Sequence, residues 1–517
     1  MKKLSKCIVT TATIAFVILA NESNKVYVEG KTETDSGLRN NKIEEEDNNF
    51  QTTTTSSTKS YVFKNGVDHT FTSDVVDGKL CDITSKSMSG YLDISGSKYD
   101  NNGEGKHLFY WFFEKRAKSL IPTNSDVDKE ETTFEESSIP LIVWLTGGPG
   151  CSSSLALLTE NGPCTVLENG EGTKTNIHSW TEAAHVLWLD QPAGVGFSYG
   201  QETDKNEKMI SEDAYYFLQA FLRSNPKYQK NPLFIVGESY GGHYAPSIAH
   251  KAFTENKNLK NGMLHLNLSG LAVGNGLTNP EIQYQYYSEM AFKNSHGIKV
   301  VNQATYEKMK VDAKSCAHLI HECNSKTKDG NNNFICQNAN YQCEKAGMGP
   351  YDATGLNPYD IRKKCQVQPL CYDFSNVETW LNKDTTRRSL HVSEKSNKWQ
   401  TCNDNVNTKF NVDKMKNFSG YVADMLNGGI PALIYAGDVD FICNYLGNKA
   451  WTLDLDWDHK NEFNLAEDHA WGGNKGLARS ANGFTFLQVY DAGHMVPTDQ
   501  PEVALDMIKN FLSEGTF

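Results

Sequence analysis

Six short apolar runs punctuate the chain downstream of about Tyr61: Ile139 to Leu145, Val186 to Leu189, Leu233 to Val236, Leu268 to Val273, Ala432 to Ala436 and Phe484 to Val489. Each is rich in Val, Ile and Leu and ends in a Gly or Asp turn, the pattern of strands buried on both faces. Stretches with helical spacing separate them, among them Gly242 to Lys251. Such alternation predicts an α/β class with a central, mostly parallel sheet covered on both sides. Between about Asn279 and Phe418 the alternation breaks down. That stretch carries seven cysteines and reads as an insertion or lid at 279–418, stapled by disulfides. It divides the core into 61–278 and 419–517. No internal repeat is evident.

The N-terminus has a different pattern. Lys2, Lys3 and Lys6 precede an apolar stretch from Cys7 to Ala20, which predicts a secretory signal peptide over 1–20. Residues 21–60 hold an acid run at Glu44 to Asp47 and a Thr/Ser tract at Gln51 to Ser60. With little apolar surface to bury, they predict a disordered leader or short propeptide. The 517 residues suffice for one large α/β domain or several ordinary ones. The net charge of −13 falls to −16 without the three lysines, and no basic stripe exists to bind nucleic acid. No internal run is long enough for a transmembrane helix, so no membrane anchor is expected after signal removal. Twelve cysteines become eleven without Cys7, which in an oxidising compartment predicts five disulfides and one free thiol. No CxxC pair occurs, and the spacings suit loops better than zinc ligands, so neither a metal nor a cofactor is expected. Asn267 and Asn417 head glycosylation sequons.

Two GxSxG motifs compete for the nucleophile, around Ser198 and Ser239. A nucleophile elbow needs a strand directly before the serine and a helix directly after it. Leu233 to Val236 and the helical stretch from Gly242 supply both for Ser239. Ser198 follows a loop and precedes a polar stretch, so it reads as structural or pocket-lining. The later strands then deliver an acid and a histidine in the chain order of an α/β-hydrolase. Asp438 and Asp440 follow Ala432 to Ala436, and either could orient an imidazole. His494 follows Phe484 to Val489. Oxyanion donors are expected from the Tyr240 backbone and from the glycine turn at 147–150. The expected fold is an α/β-hydrolase with a disulfide-stapled lid.

Gly147 to Ser153 (GGPGCSS), Asp190-Gln191-Pro192 with Gly196 to Tyr199, Gly237 to Tyr240, Gly274-Asn275-Gly276 and Gly493 to Pro497 together resemble the serine carboxypeptidases, peptidase family S10. The segment from Tyr435 to Asn444 resembles its vacuolar members in particular. The likeness runs from about Gly90 to the C-terminus. It implies a serine-type carboxypeptidase (EC 3.4.16) that releases C-terminal residues from peptides and proteins through an acyl-enzyme at acidic pH, in a vacuole, a lysosome or outside the cell. It makes Ser239 the nucleophile, His494 the base and acid, and Asp440 the orienting carboxylate. It assigns the oxyanion donors to Gly148 and Tyr240, and a free thiol near the site to Cys443. The family pairs correspond to Cys151–Cys402, Cys316–Cys343, Cys323–Cys336 and Cys365–Cys371. Cys81 and Cys164 remain and are expected to pair.

The resemblance also implies recognition of the substrate's terminal carboxylate by Glu160 and Glu238, two carboxyls sharing a proton, with Trp144 adjoining. Two such groups in contact cannot both ionise cheaply, so one is held protonated and can donate. Thr146 stands where the family has Asn, and its hydroxyl is shorter with a single donor. That departure leaves an esterase or acyltransferase on the same scaffold as one alternative, and a non-catalytic binding protein as another.

Overall fold

The structure, a computed structural model, describes residues 57–62, 68–96, 98–99, 105–121, 135–260, 262–325, 332–514 and 517. The signal peptide assigned to 1–20 and the leader up to residue 56 lie outside them.

Thirteen strands among the described residues make one sheet. In chain order they are β1 (Ser57–Val62), β2 (Asp68–Val76), β3 (Ser87–Ser95), β4 (Lys106–Phe113), β5 (Leu141–Leu145), β6 (His185–Leu189), β7 (Tyr199–Gly200), β8 (Leu233–Glu238), β9 (Leu268–Gly274), β10 (Ala432–Gly437), β11 (His469–Trp471), β12 (Gly476–Ala481) and β13 (Phe484–Val489). Across the sheet the order is β1-β2-β3-β4-β6-β5-β8-β9-β10-β13-β12-β11, with β7 paired to β4 off this path. The six strands expected from apolar runs are the six central ones. All five pairings among them are parallel, from β6 through to β13. The flanks are antiparallel: β1 to β4 on one side, joined to β6 through β4, and β11 and β12 on the other. β1 begins at Ser57, so the last residues assigned to the leader pair with β2.

The central strands are buried on both faces, which is why their sequences are continuous apolar runs. Leu141, Val143 and Leu145 of β5 and Leu233 and Ile235 of β8 point into one core. They pack there with Ile210, Phe217 and Phe221 of α2 (Glu207–Ser224) and Tyr244 and Ile248 of α3 (Gly241–Lys257). The alternate residues Ile142, Trp144, Phe234 and Val236 point the other way. They join Leu155 and Leu157 of α1 (Ser153–Thr159) and Met507, Ile508 and Phe511 of the C-terminal helix Pro501–Glu514. Fully burying each such side chain contributes about 1.5–3 kcal/mol. α2 begins at Asn206, whose side-chain oxygen accepts from the Lys208 and Met209 N–H groups and so satisfies two donors the helix cannot.

Between β9 and β10 the chain leaves the sheet. It forms α4 (Gln303–Asn324) and α5 (Asn333–Asp352), which pack together as a hairpin. Cys316 and Cys323 lie seven residues apart on α4, as do Cys336 and Cys343 on α5. That spacing puts each pair on one helix face, and the antiparallel hairpin joins Cys316 to Cys343 and Cys323 to Cys336. The remaining bridges are Cys81–Cys164, Cys151–Cys402 and Cys365–Cys371, and Cys443 is the free, buried thiol among the described residues. Asn417 is exposed, whereas Asn267 is half-buried and its Nδ2 donates to Lys230 O at 2.9 Å.

Buried acids set the pH dependence of folding. Desolvation pushes Asp190 up to about 6, Asp413 and Glu160 up to about 7, and raises Asp213, Glu207 and Glu238 as well. These six hold protons in the folded state that the unfolded chain has released, so each loses stability as pH rises from about 4 towards 7. His185 and His243, lowered to about 4 by burial, and His250, lowered as well, act in the opposite sense over the same window but are fewer. The unfolding temperature is therefore expected to be higher at pH 5 than at pH 7.5. Calorimetric scans across that interval check it, and a midpoint that rises with pH contradicts it.

Candidate active site

The site begins at the end of β8. Gly237 and Glu238 finish the strand, α3 starts at Gly241, and Ser239 bridges them with φ 64°. A non-glycine residue held there costs about 1–3 kcal/mol and persists only where the surroundings enforce it. Here they do: Ser239 N donates to Gly274 O at 3.1 Å, and Ser239 O accepts from Leu277 N at 3.0 Å. A Cβ on Gly237 would lie 2.5 Å from Gly241 O, so the turn closes only with glycine at that position. Ser198, the competing serine, is buried with its hydroxyl committed: it donates to Asp190 O at 2.6 Å and accepts from Phe109 N at 2.7 Å.

His494 Nδ1 meets Asp440 Oδ2 at 2.8 Å. An ionised carboxylate only accepts, so Nδ1 carries the proton and Nε2 is left as the basic nitrogen. Asp440 is fully buried and accepts three further hydrogen bonds, from Asn275 Nδ2 at 2.8 Å and from the Ile442 and Cys443 N–H groups at 3.1 and 3.2 Å. Asp438, the other candidate, turns away. Its Oδ1 accepts from Asp491 N at 2.8 Å and its Oδ2 lies 3.0 Å from His296 Nε2, so it pins the turn that leads to His494. Ser239 and His494 line the same cavity, of about 720 Å³. Among the described residues no hydrogen bond closes between the two side chains, a contact that in hydrolases tightens when substrate is bound.

The glycine turn after β5 lies against the elbow. A Cβ on Gly147 would sit 2.3 Å from Tyr240 N and 2.8 Å from Ser239 Cβ, so only glycine allows this approach. Gly148, in the left-handed region at φ 108°, lines the cavity. Neither its N–H nor that of Tyr240 donates to an acceptor among the described residues. Cys402, bridged to Cys151, lines the cavity beside this turn.

Glu160 and Glu238 occupy another wall, both almost fully buried. Desolvation raises Glu160 to about 7, while its hydrogen bond with Glu238 and the His494 charge pull it down. Glu238 is raised well above the usual range by desolvation, by the Glu160 charge and by the hydrogen bond between them. Each keeps one oxygen, Oε2, without a hydrogen-bond partner among the described residues. Thr146 lines the same wall, and its Oγ1 accepts from Trp144 Nε1 at 3.0 Å. That bond leaves the hydroxyl proton of Thr146 free to donate. Trp144 itself, expected at the carboxylate site, is fully buried and does not line the cavity, because alternation along β5 turns it into the opposite core. Cys443 likewise stays off the cavity wall, and burial raises its thiol well above the ordinary range.

Residues 78–514 match the family model of serine carboxypeptidases. The chain belongs to the serine carboxypeptidase family. This serine carboxypeptidase is 40% identical over 435 residues to carboxypeptidase Y of Komagataella phaffii, which covers 83% of the present chain and 76% of the relative. It is 37% identical over 468 residues to the vacuolar serine-type carboxypeptidase ATG42 of Saccharomyces cerevisiae, covering 88% and 84% of the two chains. In fold it resembles the Kex1 prohormone-processing carboxypeptidase of Saccharomyces cerevisiae, with a TM-score of 0.70 at 24% identity over 85% of this chain and 95% of that one. The protein is thus a serine-type carboxypeptidase on an α/β-hydrolase fold, and peptides are its substrates.

Several residues that shape the site of this carboxypeptidase carry no local signal. Glu344 of α5, Tyr359, Tyr372 and Asn407 line the cavity, yet all come from the stretch whose pattern resists reading. Asn275 had a signal in its place between two glycines after a strand, but its bond to Asp440 spans 165 residues. Among the described residues no helix is long and apolar enough to cross a membrane, and no group of three or more His, Cys, Asp or Glu could hold a metal ion.

Proposed function

We propose that Ser239, His494 and Asp440 carry out acyl transfer in this carboxypeptidase, that Glu160, Glu238 and Thr146 hold the substrate's terminal carboxylate, and that cleavage is fastest at acidic pH. Ser239 Oγ attacks the last peptide carbonyl as its proton passes to His494 Nε2, and Asp440 stabilises the imidazolium. The tetrahedral oxyanion accepts from the Gly148 and Tyr240 N–H groups. His494 then protonates the leaving amine, and water, activated by the same imidazole, releases the acyl group from Ser239. The observation that carries the exopeptidase assignment is the buried carboxyl pair on the wall of the cavity that contains Ser239. Protonated, the pair donates to a terminal carboxylate; ionised, it repels one. We place the enzyme in a vacuole or lysosome or outside the cell, a reading supported by its vacuolar relatives and five disulfides. The 279–418 segment acts as the lid, contributing Glu344, Tyr359 and Tyr372 to the cavity wall. Asn417, the exposed sequon, is the favoured glycan carrier over Asn267.

The deciding experiment compares a blocked dipeptide with its C-terminal amide at pH 5. Preference for the free acid is expected, and equal or greater turnover of the amide would count against carboxylate recognition. Thr146 offers a finer test. A hydrogen bond to a charged group is worth about 1.5–3 kcal/mol, so Thr146→Val is expected to lower the acid-to-amide ratio of kcat/KM by about tenfold or more. An unchanged ratio would remove Thr146 from the carboxylate site.

A further inference from the structure

The cavity around Ser239 is lined by carboxylates on several sides and, among the described residues, by no lysine or arginine. Most of these carboxylates have an evident partner. Glu160 and Glu238 face each other. Glu378 Oε1 accepts from Thr401 N and Oγ1 at 3.2 and 2.9 Å, and Asp373 Oδ1 accepts from Ser375 N at 2.9 Å in an exposed turn. Asp404, at the start of a short helix, and Glu344 remain, and of the two it is Glu344 whose carboxylate a neighbouring side chain holds in place. It projects from α5 between the buried Cys343 and Gly347 and lines the cavity, the residue open on one side while its carboxyl is enclosed by neighbouring protein groups. The Tyr284 hydroxyl donates to its Oε1 at 2.5 Å, which fixes the side chain. Its other oxygen makes no hydrogen bond or ion pair among the described residues. The cation whose charge reaches it, Lys414, directs its Nζ to Asn407 Oδ1 at 2.7 Å and Asn411 Oδ1 at 3.2 Å instead.

We infer that Glu344 selects substrates with a cationic side chain, lysine or arginine, at the residue just before the scissile bond. The inference rests on the proposed seat of the terminal carboxylate at Glu160 and Glu238. With that end fixed, the residue on the acyl side of Ser239 faces the wall that follows Asp440. Ile442 and Tyr359 line that wall, and the Glu344 charge acts on Tyr359 and on Cys443. A lysine or arginine stem lies along Ile442 and the Tyr359 ring while its charged end reaches the free oxygen of Glu344. A glutamate at the same position meets a like charge, and no lysine or arginine among the described residues lines the wall to offset it.

Burial raises the Glu344 carboxyl, the Tyr284 hydrogen bond and Lys414 lower it, and Asp352 raises it further. The other titratable groups facing it are Tyr284, Tyr287, Tyr359 and Cys443, all raised by burial and neutral between pH 5 and 7. Selection for the cation therefore strengthens as pH rises, opposite in sign to binding of the terminal carboxylate.

The test uses the full chain with blocked peptides that share a C-terminal leucine and carry Lys, Leu or Glu before it, assayed at pH 5 and 7. Wild type is expected to favour Lys over Glu in kcat/KM by about tenfold or more, and more so at pH 7. Glu344→Gln is expected to bring that ratio towards one, and Glu344→Lys to reverse it. Ratios are independent of the amount of active enzyme, so partial misfolding of a variant does not disguise the result. A Lys-to-Glu ratio unmoved by both substitutions overturns the inference. Loss of Ser239-dependent cleavage of the leucine peptide in wild type would instead overturn the reading of the catalytic site.

Discussion

Ser239→Ala is expected to lower kcat by about 10⁴–10⁶-fold, leaving only the contribution of binding and of the oxyanion donors. The size follows from the way the three groups act as a unit. Without the hydroxyl there is no acyl-enzyme, and the His494–Asp440 pair has no proton to accept. Asp440→Asn should cost about 10⁴-fold for a separate reason. An amide at that position can present N–H to His494, which would turn the ring to the wrong tautomer. It also disturbs the bonds from Asn275, Ile442 and Cys443 that hold the carboxylate. Asp438→Asn should cost far less, because Asp438 touches the Asp491 backbone and His296 and not the catalytic imidazole. Single-turnover kinetics on the three variants, with unfolding curves to confirm native structure, check the order. An Asp438 variant as impaired as the Asp440 variant would show that the carboxylate roles are misassigned.

Terminal-carboxylate binding is expected to collapse above neutral pH, and only for substrates with a free C-terminal carboxylate. Glu160 is raised to about 7 and Glu238 is raised well above the ordinary carboxylate range, so below neutrality the pair keeps at least one proton to donate. Once that proton is lost, KM for a free-acid peptide should rise about tenfold per pH unit, some hundredfold over two units, by proton linkage. The matching C-terminal amide carries no charge to repel, and its KM should stay comparatively flat. Replacing both residues with glutamine removes the titration and should flatten the free-acid profile as well. Initial-rate measurements from pH 5 to 9 distinguish the cases. Parallel KM profiles for acid and amide would place the titrating group elsewhere.

The six central strands were legible because burial on both faces forces continuous apolar runs, and no other local structure of that length suits them. β1 to β3 were not. They are Ser- and Thr-containing antiparallel strands, β1 and β2 largely polar, that pair at the margin of the sheet, and such sequences give no continuous apolar run to read. The elbow at Ser239 was legible from its neighbours: a strand, two glycines that a turn requires, and a helix. Trp144, which the resemblance implies beside the carboxylate site, adjoins it from within the core: its ring is fully buried and off the cavity wall, and its Nε1 donates to Thr146 Oγ1.

What the amino-acid order alone determined was therefore local: strand, turn and helix, the chain order of Ser239, Asp440 and His494, and the family that their motifs mark. By spacing alone Asp438 and Asp440 are equal, since both lie just beyond the same strand, and only the family resemblance singled out Asp440. Tertiary structure supplies the physical reason, because β10 and β13 pair in parallel and bring the two loops together so that Asp440, and not Asp438, meets the imidazole. It also brought Glu160, at the end of α1, against Glu238, at the end of β8, and set Glu344 from a distant helix on the same cavity. Carboxyl groups far apart in sequence acquire their raised pKa values only through the desolvation and mutual repulsion that packing creates, which no local pattern encodes.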